Sequence, residues 1–352
     1  MLMVIFGAGA SYDSAPFRPL NEYPPRHSGL PNFYQYRPPL SKELFDDRPP
    51  FNEWLNRFRW RIGSVLLDLR RAPEVSSVEH ELERLNEEAQ THPERHWQLA
   101  AVKFYLLYMI QGCEGEWANN PQIGATNYAS LLGQIQTHRA GERLCLVTFN
   151  YDTMLEDAIQ VVGIRIESLS DYIASDDCKI IKLHGSVNWA REVKTSIGDV
   201  GGRDVFSIAN ILIDKVTELD ISSEYRMIND YWITMKDPKR VFFPALAIPF
   251  ETKKNYECPS EHVEALERCI LEVTKILIIG WRATESHFVS LLCEKLRANV
   301  QIMTVAENRD KAAESNQRLQ EAGIKGMYLA SDFGFSDFLK HHEVAKFLGQ
   351  VK

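Results

Sequence analysis

The sequence is short of cysteine pairs. Its six cysteines (Cys113, Cys145, Cys178, Cys258, Cys269 and Cys293) are scattered along 352 residues, with no CxxC or CxH spacing. A disulfide frame or a zinc site is therefore not expected, and reduced thiols in a cytoplasmic protein are. No apolar run approaches the ~18 residues that a membrane-spanning helix needs, and Leu2–Phe6 is too short for the apolar core of a signal peptide. Positive charge is not in excess: 40 Lys and Arg against 48 Asp and Glu leave a net charge of −8, which repels nucleic acid and predicts no direct binding to it. Internal repeats, low-complexity tracts and a GxxxxGK[ST] phosphate loop are also missing. What is present is an ordinary globular composition, 45% hydrophobic and 25% charged, in a chain long enough for about two domains.

Short apolar runs recur along the chain: LMVIF (2–6), LCLVTF (144–149), KIIKL (179–183), KILIIG (275–280), VQIMTVA (300–306) and GMYLA (326–330). They lack polar alternation, as strands of a parallel sheet covered on both faces do. Helical spacing lies between them, over 153–162, 285–297 and Arg309–Glu321, the last opening on Asn308 as N-cap. The pattern predicts an α/β fold, a doubly wound, mostly parallel Rossmann-like sheet. Two stretches interrupt it. Residues 16–50 are rich in proline and aromatics and predict an extended loop, and 51–116 carry helical periodicity. Residues 190–240 hold Gly198, Gly201, Gly202 and an amphipathic segment over 225–235. The expected organisation is a discontinuous sheet domain (1–50, 117–190 and 240–352), a helical insertion (51–116) and a smaller insertion or flap (190–240).

Three motifs carry candidate chemistry. GAGAS (Gly7, Ala8, Gly9, Ala10, Ser11) follows the first strand at once, and glycines there let a backbone approach a pyrophosphate. A tight strand-to-helix turn explains the same residues. The dehydrogenase fingerprint wants a third glycine where Tyr12 stands, and an acid ~20 residues on, where this chain has its Pro-rich loop. TFNYD puts Asn150 and Asp152 at the carboxyl end of the second strand, where open α/β sheets bind ligands, although either side chain also suits a helix cap. KLHGS ends the third strand on His184, which is placed for acid or base work near pH 7, with Gly185 turning the backbone.

These three motifs are followed by FFPALAIPF (242–250), IIGWRATESHF (278–288) and TVAEN (304–308). In this order they resemble the sirtuin-like superfamily, and within it the bacterial branch that hydrolyses NAD+ in antiphage defence. RPPLSKELF (37–45) is similar to the segment after the glycine motif in that branch. The resemblance covers residues ~1–45 and ~140–340. It implies Asn150 and His184 as the catalytic pair, Asp152 as the acid holding the nicotinamide amide, and the GAGAS backbone with Ser11 as the pyrophosphate cradle. It further implies Gly280 and Trp281 at phosphate and ribose, and Glu307 and Asn308 at the adenosine ribose. NAD+ is then substrate, with no metal.

Deacylases of the superfamily insert a zinc ribbon with paired CxxC motifs after the His-Gly motif. Here residues 190–240 contain no cysteine, which favours hydrolysis over deacylation. Arg282 stands where the family often has serine, and it receives no role. The resemblance also implies a homo-oligomer, and activation by assembly or by a separate HerA-type hexameric ATPase. ADP-ribosyl transfer, deacylation, or a catalytically silent NAD- or ADP-ribose-binding regulatory subunit are the competing readings.

Overall fold

A computed structural model describes residues 1–14, 36–118, 126–198, 200–228, 240–250, 256–297 and 299–349. Most of the extended loop expected over 16–50, and part of the 225–235 segment, lie outside the described residues. Nine strands form among them: β1 (Leu2–Phe6), β2 (Leu144–Thr148), β3 (Cys178–Lys182), β4 (Gly185–Val193), β5 (Ile221–Met227), β6 (Phe242–Leu246), β7 (Lys275–Ile279), β8 (Val300–Val305) and β9 (Gly326–Ala330). The six apolar runs read from the sequence are β1, β2, β3, β7, β8 and β9. The helix expected over 153–162 shortens to Met154–Ala158 with a tighter turn, Ile159–Val162, after it. The helix Arg309–Glu321 starts where Asn308 caps it.

Two compact units share the chain. One comprises Met1–Pro38, Cys113–Leu183 and Ser260–Lys352, and the other Pro39–Gly112 and His184–Pro259. The first holds a six-stranded sheet in the order β3-β2-β1-β7-β8-β9, with every neighbouring pair parallel. Counted along this sheet alone the order is 3-2-1-4-5-6, the doubly wound arrangement of a Rossmann-like fold. All five residues of β1 and of β2 are buried, so neither face of the central strands meets water. Each Val, Leu or Ile enclosed in this way stabilises the fold by roughly 1.5–3 kcal/mol.

The second unit unites both interrupting stretches. Its boundaries fall after residues 38, 112, 183 and 259, and the strand β6, which the motif order groups with the parallel sheet, lies here. The sheet has three antiparallel strands in the order β5-β4-β6. Pro244 sits in β6, an edge strand, where a missing N–H is tolerated. The helices of this unit supply an aromatic core in which Tyr108 lies 4.9 Å from Phe206 and 6.0 Å from Phe58, and Phe104 meets Phe243 edge-on at 5.3 Å. No helix among the described residues is long and apolar enough to cross a membrane.

Candidate active site

β1 and β7 are neighbours in the sheet, but the chain leaves them in opposite directions, to β2 and β3 on one side and to β8 and β9 on the other. Open α/β sheets bind ligands outside the carboxyl ends of such a pair. Here those ends run into Gly7 and Gly280. The Gly7 N–H donates to the Ile279 carbonyl (3.0 Å), and the Gly9 N–H to the Gly280 carbonyl (3.2 Å). A Cβ on Gly7 would stand 2.5 Å from the Gly280 oxygen. One on Gly280, whose φ is +60°, would stand 2.6 Å from the Gly9 Cα. The space these glycines leave is filled by each other's turn, and three of the amides expected to cradle a pyrophosphate, those of Gly7, Gly9 and Ala10, are already engaged by backbone. Ala8 and Gly9 are half-buried and Ala10 is buried.

Behind the turns lies a buried polar cluster. Ser11, on the helix Ala8–Ser14, donates its hydroxyl to Asp152 Oδ2 at 2.6 Å. Asn150 Nδ2 is within hydrogen-bond distance of three acceptors: the Gly7 carbonyl (2.9 Å), Ser11 Oγ (2.9 Å) and the Tyr128 hydroxyl (3.0 Å). Tyr128 and Ser11 are themselves 2.9 Å apart. The second Asp152 oxygen accepts the Met154 N–H at 3.2 Å, so both its oxygens are engaged within the protein. Burial pushes the Asp152 carboxyl above its usual range, with the Lys182 charge and the Ser11 hydrogen bond opposing.

One layer further in, Lys182 is fully enclosed, at 0% exposure. Its ammonium donates to the Asp152 carbonyl and to Glu156 Oε1 (2.8 Å), which also accepts the Tyr172 hydroxyl (2.9 Å). Glu114, near the end of the helix Glu94–Ala118, accepts the Thr153 N–H. Burial first, and the nearby Asp152 charge second, push its carboxyl up to about 8. The turn carrying Asn150 and Asp152 is thus braced from four elements, which bear Ser11, Tyr128, Lys182 and Glu114.

The remaining candidates are spread more widely. Trp281 is buried and stacks on Phe149 at 5.4 Å, and its indole N–H donates to Glu285. Arg282 is exposed, and its carbonyl accepts Arg318 at 2.7 Å. Glu307 and Asn308 follow β8 at the same sheet edge and are exposed, with the Asn308 side chain accepting the Lys311 N–H at 3.0 Å. His184 belongs to the second unit. It is buried there, its carbonyl accepts the Ala247 N–H at 2.9 Å, and Gly185 (φ +79°) turns the chain into β4 against the Ala245 carbonyl. Gly7, Ser11, Asn150, Asp152 and Gly280 therefore gather at one place in the first unit. Among the described residues no group of three or more His, Cys, Asp or Glu is placed to hold a metal ion.

Sequence reasoning assigned nothing to Tyr128, Glu114, Glu156 or Lys182. Lys182 carried a usable signal, because a lysine inside an otherwise apolar parallel strand demands a buried partner. Tyr128 and Glu114 sit in helices of unremarkable pattern and gave none.

No protein-family model and no curated protein matches the chain. Solved structures do. A Sir2 complex with a p53 peptide and NAD+ is 12% identical, with 97% of this chain and 91% of that one covered at a TM-score of 0.42. A Sir2 homologue bound to NAD is 12% identical, with 98% and 90% covered at 0.39. A mutant Sir2 homologue holding 2'-O-acetyl ADP ribose is 16% identical, with 98% and 92% covered at 0.40. Likeness at this level bears on neither substrate nor mechanism.

Proposed function

We propose that the chain hydrolyses NAD+ to nicotinamide and ADP-ribose. The observation that carries this reading is the clamped amide of Asn150, held by Gly7, Ser11 and Tyr128 beside the turns at the switch point of a doubly wound sheet. The nicotinamide of NAD+ is already a cationic leaving group, so breaking its bond to ribose needs geometry and electrostatics more than covalent help. As the C1'–N bond breaks, its electron pair leaves with nicotinamide. Water adds to C1' of the oxocarbenium-like ribose, and its proton passes to a base.

Asn150 orients the water or a ribose hydroxyl, His184 takes the proton, and Asp152 fixes the nicotinamide amide, sharing an oxygen with Met154. Gly7 to Ser11 and the Gly280–Trp281 turn lie along the phosphates, and Glu307 and Asn308 at the adenosine ribose. Hydrolysis of this kind drains the cell of NAD+. The proposal therefore includes a role in bacterial antiphage defence, with the enzyme silent until it assembles with itself or with a HerA-type ATPase.

The test follows nicotinamide release from NAD+ by the purified chain, alone and with the products of neighbouring genes, together with particle mass. Asn150→Ala and His184→Ala should each reduce release at least 100-fold, about what loss of one positioned catalytic group removes. Full activity in both variants overturns the assignment. Label from NAD+ ending on protein, or an acyl group leaving lysine, replaces hydrolysis with transfer or deacylation.

A further inference from the structure

The hydrogens of the polar cluster can be placed from its acceptors. Both Asp152 oxygens accept, one from Ser11 and one from the Met154 N–H. Ser11 has a single proton, and donating it to Asp152 leaves Oγ as an acceptor only. The 2.9 Å contact with Tyr128 is then a hydrogen bond from the tyrosine to the serine. With its own proton committed, the Tyr128 oxygen can only accept, and Asn150 Nδ2 at 3.0 Å is the donor. Burial and the Asp152 charge raise the phenol far above its ordinary range, so it stays protonated and able to fill this role.

The amide therefore has one orientation. Turned over, Asn150 would set its oxygen against the Gly7 carbonyl and two oxygens whose protons point elsewhere. In the orientation present, Nδ2 faces three acceptors and Oδ1 faces away. Among the described residues Oδ1 accepts no hydrogen bond, and it is not sealed from solvent. It is a preset acceptor, which matches an O–H donor such as water or a sugar hydroxyl.

We propose that Tyr128 is a positioning residue, the outer end of a one-way hydrogen-bond chain through Ser11 to Asp152 that locks the Asn150 amide with Oδ1 presented to an O–H donor. This rests on the hydrolase reading for its consequence in turnover, but not for the locking itself.

Tyr128→Phe is the direct test. The ring packs against Phe6 at 5.1 Å and Phe335 at 6.3 Å, contacts that phenylalanine keeps, so the variant should fold. The side-chain amide of Asn150 is followed by NMR in protein labelled with 15N-asparagine, and assigned by its loss in Asn150→Asp. In Tyr128→Phe its hydrogens should exchange with solvent at least threefold faster. With NAD+, kcat should fall about tenfold while KM stays within twofold, and in a Ser11→Ala background the same substitution should add nothing. An unchanged amide signal overturns the proposal whatever NAD+ does. A changed signal in a protein whose wild type never releases nicotinamide supports the locking and removes the hydrolase reading. A changed signal with unchanged kcat in an active enzyme, or effects of Tyr128→Phe and Ser11→Ala that simply add, overturns it.

Discussion

Lys182 shows how a single enclosed side chain can brace the turn that carries a site. It lies at the end of β3, and its ammonium ties the carbonyl of Asp152 to the carboxylate of Glu156. Glu156 keeps a second buried oxygen with no hydrogen-bond partner among the described residues, so the cation is its main compensation. Removing one member of a buried pair leaves an uncompensated charge, which costs about 3–5 kcal/mol, whereas replacing both with apolar residues is often neutral. Lys182→Met should therefore lower the unfolding free energy by about that amount in denaturant titrations. Lys182→Met with Glu156→Leu should regain most of it. If the double variant is no more stable than the single, the pair is not what makes Lys182 necessary.

At the scale of elements, the deciding feature is the contact between the two glycine turns. The Gly280 φ of +60° and its 2.6 Å clearance to Gly9 leave no room for a side chain. Strained backbone of this kind costs about 1–3 kcal/mol before any steric clash is added. Gly280→Ala should lower the thermal midpoint by several degrees and weaken ADP-ribose binding in calorimetry, since the turns that flank the switch point must separate. Unchanged stability and binding would show that the turns yield without consequence.

This contact also marks the limit of what could be read in advance. The six parallel strands were legible because apolar runs buried on both faces carry their own signature, and the Asn308 cap because its chemistry is local. That Gly7 and Gly9 would be filled by Gly280, 273 and 271 positions on in the numbering, was not legible, because glycine in a sequence does not say which neighbour comes close. Nor was β6 recognised as part of a second sheet. FFPAL is as apolar as a central parallel strand, and only its pairing with β4 distinguishes it.

For the whole molecule the thiols give a simple measurement. All six cysteines are free, and only Cys293 is exposed. Cys269 is pulled down to about 7 by its hydrogen bond with Cys145, but it is buried, so access outweighs acidity. A thiol reagent should label one equivalent per native chain quickly and all six in denaturant. Fast labelling of two or more would mean that the core opens far more readily than its packing implies.

The position of β1 has a consequence for how the protein is made. Leu2 pairs with Leu144 on one side and Lys275 on the other, so this inner strand of the sheet is synthesised before either of the strands that flank it. During translation LMVIF waits beyond the ribosome as an unpaired apolar segment until β2 emerges, and it keeps one open edge until β7 does. Contacts this distant in sequence form slowly, and an exposed strand edge invites pairing with other chains. The nascent chain is therefore most vulnerable to aggregation before β7 has been made, when the surface that will seal β1 does not yet exist.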